Sequence, residues 1–112
     1  MTRCNALKCI ARPMAIAFSL LPVQHAAAAP RVHTVVIDKM RFGAVPPDIR
    51  VGDTILWVNN DLFRHTATAR DNSFSLDLAP KSSGKTVIKR SGSIPFYCLY
   101  HPGMKGALTV IR

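Results

Sequence analysis

Glutamate is absent from the 112-residue sequence; its six acidic residues are all aspartates. No two of them form a convincing close pair, so paired-carboxylate acid–base catalysis has no evident equipment. A serine–histidine arrangement fit for nucleophilic catalysis and a glycine loop fit for phosphate are also missing. No apolar run approaches the roughly 20 residues a bilayer-spanning helix needs. The longest, residues 13–23, is followed by Gln24 and His25. Helical periodicity is lacking throughout, which excludes a helical bundle. The fifteen Lys+Arg residues stand mostly alone, with only Lys89 and Arg90 adjacent. A basic block interleaved with aromatics is therefore missing, and nucleic acid is not an expected partner. Cysteine is scarce: Cys4 and Cys9 near the start, then only Cys98.

What is present begins with a segment that reads as a leader. Residues 1–12 carry Arg3, Lys8 and Arg12 and no acidic group, residues 13–23 are almost wholly apolar, and Ala26–Ala29 follow. A basic head, a short apolar middle and a small-residue end predict a secretory signal peptide over residues 1–28, cut after Ala28. Residues 29–112 are then the mature domain. It keeps twelve basic residues and six aspartates, about +6 with neutral histidines. No stable membrane insertion is expected, and export implies a periplasmic home in a Gram-negative source. Cys98 becomes the sole cysteine of this exported domain. It has no internal disulfide partner, and coordination to a metal would protect it from oxidation. A domain this small also gains from a stabilising metal.

The mature stretch reads as short apolar runs cut by turn residues, an all-β pattern. Strands are expected at Thr34–Ile37, Ile49–Val51, Ile55–Val58, His65–Ala69, Phe74–Leu78, Thr86–Ile88, Ile94–Cys98 and Leu108–Ile111, with Lys39–Phe42 alternating as well. Ile55–Val58 is apolar throughout and suits a strand buried on both faces. Residues 81–85 read as a polar loop around Gly84. Ile94, Phe96 and Cys98 fall on one face. About eight strands at this spacing predict a Greek-key β-sandwich or barrel.

The chemistry concentrates in Cys98-Leu99-Tyr100-His101-Pro102-Gly103-Met104, which offers a thiolate, an imidazole and a thioether within seven residues. Pro102 and Gly103 favour a tight turn that folds His101 and Met104 back toward Cys98. His65 opens a strand 33 positions earlier. Two histidines, a cysteine and a weak methionine are the ligand set of a blue-copper site. Thiolate and imidazole suit both Cu(II) and Cu(I), and a distant thioether leaves the site close to trigonal. Such a site moves little when an electron arrives. His65, Cys98, His101 and Met104 are the expected metal ligands, for one type 1 copper per chain. His33 has no matching partner and reads as a surface residue, and Trp57 reads as core.

The chain resembles the cupredoxins, and among them the amicyanins with their plastocyanin and pseudoazurin relatives. The resemblance rests on Val51-Gly52-Asp53-Thr54, Trp57-Val58-Asn59, His65-Thr66-Ala67-Thr68, and Tyr97-Cys98 continued by His101-Pro102-Gly103-Met104-Lys105-Gly106. Two residues between His101 and Met104 match the short amicyanin loop. The resemblance implies a monomeric electron carrier rather than an enzyme, shuttling between larger redox proteins such as a dehydrogenase, a c-type cytochrome or an oxidase. It implies that the electron leaves by the ring edge of His101. Pro102 and Tyr100, with Phe63 and Met40, would form an apolar docking patch around it. Two positions depart from the pattern. Arg64 stands where many relatives have proline, and Thr66 where plastocyanins have asparagine. A competing reading is a copper chaperone or store without electron transfer. Such proteins favour clustered methionines or histidines, whereas the mature chain has only Met40 and Met104, far apart.

Overall fold

The computed structural model describes residues 13–23 and 29–112. Residues 13–23 form no helix or strand and are exposed. The basic head and the Ala26–Ala28 cut of the expected leader lie outside the described residues. Among the described residues, no helix is long and apolar enough to cross a membrane.

Nine strands form two sheets. They are β1 (Val32–Asp38), β2 (Arg41–Phe42), β3 (Ile49–Arg50), β4 (Thr54–Asn59), β5 (His65–Ala69), β6 (Ser75–Leu78), β7 (Ser83–Val87), β8 (Gly92–Tyr97) and β9 (Lys105–Ile111). One sheet has the order β2-β1-β4-β7, the other β3-β9-β8-β5-β6. The pairs β1/β4 and β3/β9 are parallel and the rest antiparallel. Connections such as β4–β5 and β6–β7 pass from one sheet to the other, as in the expected Greek-key sandwich.

The core forms because most strands alternate, while β5 is buried along its whole length. Val35 and Ile37 of β1 and Ile55 and Trp57 of β4 face Ala67, Ala69, Ile94, Phe96, Leu108 and Val110 of the second sheet, all buried. Fully burying one large apolar side chain stabilises by about 1.5–3 kcal/mol, so a dozen such residues carry a thin sandwich. Phe42, Trp57, Phe74 and Phe96 meet edge to face or tilted, with centroids 4.8–6.1 Å apart. Register explains one glycine. Gly106 lies opposite Phe96 on the neighbouring strand, and a Cβ there would come within 2.5 Å of the ring.

Three local expectations change. β4 is fully buried on one face only: Ile55, Trp57 and Asn59 point inward while Thr54, Leu56 and Val58 are half-covered. Residues 83–85 are strand rather than loop. Ser83, Gly84 and Lys85 pair with Val58, Trp57 and Leu56, because an edge strand draws on backbone bonds and tolerates polar side chains. Gly84 leaves room there, since a Cβ would sit 3.3 Å from the Leu78 side chain, which would have to shift slightly. Lys39 and Met40 form a turn instead of continuing a strand, with φ of 51° and 59°.

Candidate metal centre

The sheet order brings the distant histidine to the cysteine. β5 lies beside β8, with Thr68 opposite Tyr97, so the first residue of β5 sits beside the end of β8. β5 opens with His65, and β8 runs out at Tyr97 into Cys98. The next six residues return the chain as a closed loop. The Met104 amide donates to the His101 carbonyl (2.8 Å), and the Cys98 amide donates to the Met104 carbonyl (3.0 Å).

This closure gathers three donors. Cys98 Sγ lies 3.8 Å from His65 Nδ1 and 3.7 Å from His101 Nδ1. All three atoms lie within 4.8 Å of one another. The spacing fits a metal: sulfur and nitrogen bonds of about 2.3 and 2.0–2.1 Å, opened to a trigonal angle, put the two donors about 3.7 Å apart. His65 and Cys98 are wholly buried, whereas His101 is half-buried and reaches the surface. Of the four predicted ligands, the fold assembles these three as one cluster. Met104 closes the same loop and is buried with the core, 7% exposed.

Both reactive ends are held by hydrogen bonds. The Thr66 amide donates to Cys98 Sγ at 3.3 Å. That bond fixes the sulfur against the start of β5. The Thr66 hydroxyl accepts from the Leu99 amide (2.8 Å) and from the Thr68 hydroxyl (3.0 Å), and Thr68 reaches Ser75 (2.9 Å). Threonine at this departing position thus ties the ligand loop to β5. Arg64, the other departure, pairs with Asp77 (2.8 Å), which also accepts from the Tyr100 hydroxyl at 3.5 Å.

His65 is oriented from behind by a residue that the sequence left as plain loop. Its Nε2 lies 2.7 Å from Asp61 Oδ2. Burial opposes ionisation of Asp61. The amides of Met40 and Lys39 and the His65 ring outweigh it, holding the carboxyl below its ordinary value. An ionised carboxylate only accepts, so Nε2 is the donor in this bond, and Nδ1 is the nitrogen that faces Cys98. Four-residue spacing from a carboxylate to a candidate metal histidine was the available signal.

His33 is corrected. It is not a surface residue: its side chain is 9% exposed, and Nε2 meets Asp53 Oδ2 at 2.8 Å. Asp53 also accepts from the Arg31 amide (3.0 Å) and the Arg50 amide (2.9 Å). The Arg31 bond is the largest influence on Asp53. With the His33 and Arg50 contacts it overcomes the opposing effect of burial, and the carboxyl falls to about 2.

Around the cluster, Leu62, Phe63, Leu99, Tyr100 and Met40 are exposed apolar or aromatic residues. All but Met40 belong to the two loops that carry the donors, and Met40 is bonded to Asp61.

The fold is similar to that of amicyanins. The chain is 25% identical to amicyanin from Paracoccus versutus over 80 residues, 66% of this chain and 61% of that protein. It therefore spans less than two thirds of the curated relative's length. Among solved structures, the Cu(I) form of a methionine-to-glutamine variant of amicyanin matches at 22% identity. The match covers 71% of this chain and 82% of that one, with a TM-score of 0.59. The crystal structure of amicyanin from Paracoccus versutus matches at 23% identity over 78% and 86%, with a TM-score of 0.56. No protein-family model matches. The shared feature is the amicyanin-like cupredoxin sandwich, here with a His–Cys–His cluster at one end.

Proposed function

We propose that this chain with an amicyanin-like fold is an exported, periplasmic electron carrier with one type 1 copper, held by His65, Cys98, His101 and Met104. The observation that carries the reading is the 3.7–3.8 Å spacing of Cys98 Sγ from the two Nδ1 atoms, near that of a trigonal site. When bound, copper supplies a one-electron couple.

The chain's own residues supply the rest. The Cys98 thiolate and two imidazoles would satisfy either oxidation state, and Met104, at the loop's far end, would supply a weak thioether. Strand and loop bonds fix the donors before metal arrives, so little has to move when charge changes. Ile94 and Phe96, inward with Cys98, help to exclude water. His101 is the donor nearest solvent, and its ring edge is the electron's route out. The exposed Phe63, Tyr100 and Pro102 form an apolar landing surface for larger redox proteins, a dehydrogenase, cytochrome or oxidase among them. The basic mature surface favours acidic partners.

A visible spectrum during Cu(II) titration tests the reading. An intense blue band saturating at one copper per chain, bleached by ascorbate and restored on reoxidation, is expected. A colourless copper complex would remove Cys98 from the Cu(II) ligands and favour copper handling over electron transfer.

A further inference from the structure

We infer that Asp61 is a positioning residue for the metal centre: its carboxylate fixes the His65 ring and lowers the reduction potential of a copper held there. This rests on the copper reading above and extends it to a residue outside the ligand set.

The geometry is a cage around one carboxylate, itself 8% exposed. Oδ1 accepts from the Lys39 amide at 2.7 Å; Oδ2 accepts from the Met40 amide at 3.0 Å and the His65 ring at 2.7 Å. Lys39 and Met40 are consecutive non-glycine residues with left-handed φ. That conformation costs about 1–2 kcal/mol per residue. It aims two successive amides at one point, a concavity suited to an anion. The strained turn thus has a ligand, and the ligand is Asp61.

The carboxylate cannot swing away. Its own amide donates to Asn59 Oδ1 (2.9 Å), and its carbonyl accepts from the Lys81 amide (3.2 Å). Asn59 is wholly buried and spends its Nδ2 on the carbonyls of Phe63, Leu78 and Ala79 at 2.8–3.2 Å. The segment from Asn59 to His65 is stitched to β1 on one side and to the β6–β7 connection on the other.

A negative group one hydrogen bond behind the imidazole makes Nδ1 a stronger donor. Its field favours the doubly charged metal over the singly charged one. Removing that charge weakens Cu(II) binding more than Cu(I) binding, so the potential rises.

Asp61→Asn keeps the shape and removes the charge. Equilibrium titration should show Cu(II) affinity about tenfold lower, Cu(I) affinity less affected, and a midpoint potential above wild type. Asp53→Asn removes a buried carboxylate from the other histidine pair and should leave the potential at the wild-type value. An Asp61→Asn protein with wild-type potential and Cu(II) affinity would overturn the inference, whatever its stability. Where that variant does not fold, nitrogen-15 NMR of the wild-type apo-protein decides. A protonated, slowly exchanging Nε2 on His65 is expected, and protonation at Nδ1 alone would overturn it. The NMR reading needs no metal, so a chain that bound no copper yet kept the Nε2 proton would sink the copper reading and leave the positioning intact.

Discussion

The two ends of the β1/β4 pair carry the same device with different consequences. At one end Asp53, just before β4, accepts from His33 Nε2 and from the amides of Arg31 and Arg50. At the other, Asp61, just after β4, accepts from His65 Nε2 and from the amides of Lys39 and Met40. Each aspartate pins one end of β1 and one imidazole. The difference lies at the ring's second nitrogen. His65 Nδ1 faces Cys98 and shares a cluster with His101, whereas His33 belongs to no cluster of metal donors among the described residues. A carboxylate–imidazole pair is thus a structural staple by default. It becomes part of a metal centre only where the fold brings further donors to the free side of the ring.

The largest expected effect separates the two ends outright. Cys98→Ser should abolish the coloured Cu(II) form while circular dichroism still reports a folded β domain; retention of full colour would remove the thiolate from the site. His33→Asn should leave the colour untouched. Next comes Asp53→Asn. Loss of charge-assisted bonds to Arg31 and His33 should cost about 2 kcal/mol in urea unfolding, with the visible band unchanged.

Acid should act on the same pair. Asp53 ionises at about 2 when folded, below its ordinary 3.8. Its contribution is therefore complete above 3.8 and lost as the pH falls toward 2. Asp61, also lowered, acts in the same direction. In Asp53→Asn, stability should fall less steeply with acid over that interval. Gly106→Ala, which crowds Phe96 beside the Cys98 strand, should cost about 1–3 kcal/mol by thermal unfolding. Met104→Gln is the subtler probe of the metal end: copper stays bound and the potential shifts, and an unchanged potential would take Met104 out of the ligand set. Smallest is the effect of salt, which should slow docking to an acidic redox partner; salt-independent rates would leave the apolar surface as the sole determinant.

The metal end was the more legible half of this comparison. Cys98, His101 and Met104 sit within seven residues, and ligand chemistry restricts which side chains can serve there. Inward-facing Ile94 and Phe96 announced themselves by alternation, as did most of the core. The staples did not. His33 and Asp53 are twenty positions apart and meet only because β1 and β4 run parallel. Asp61 looked like one more polar loop residue because two of its three side-chain partners are the backbone amides of a turn, which no side-chain pattern encodes; only its four-residue spacing from His65 hinted at the third. The start of β7 was hidden for a related reason: an edge strand of Ser83, Gly84 and Lys85 is held by its backbone and by the space glycine leaves for Leu78.

The most direct test is a crystal structure of the copper-loaded protein with anomalous data collected above and below the copper absorption edge. The account predicts one copper peak, bounded by Cys98 Sγ and the Nδ1 atoms of His65 and His101, and none beside His33. A peak at the His33–Asp53 end, or a copper bound without Cys98, would contradict it.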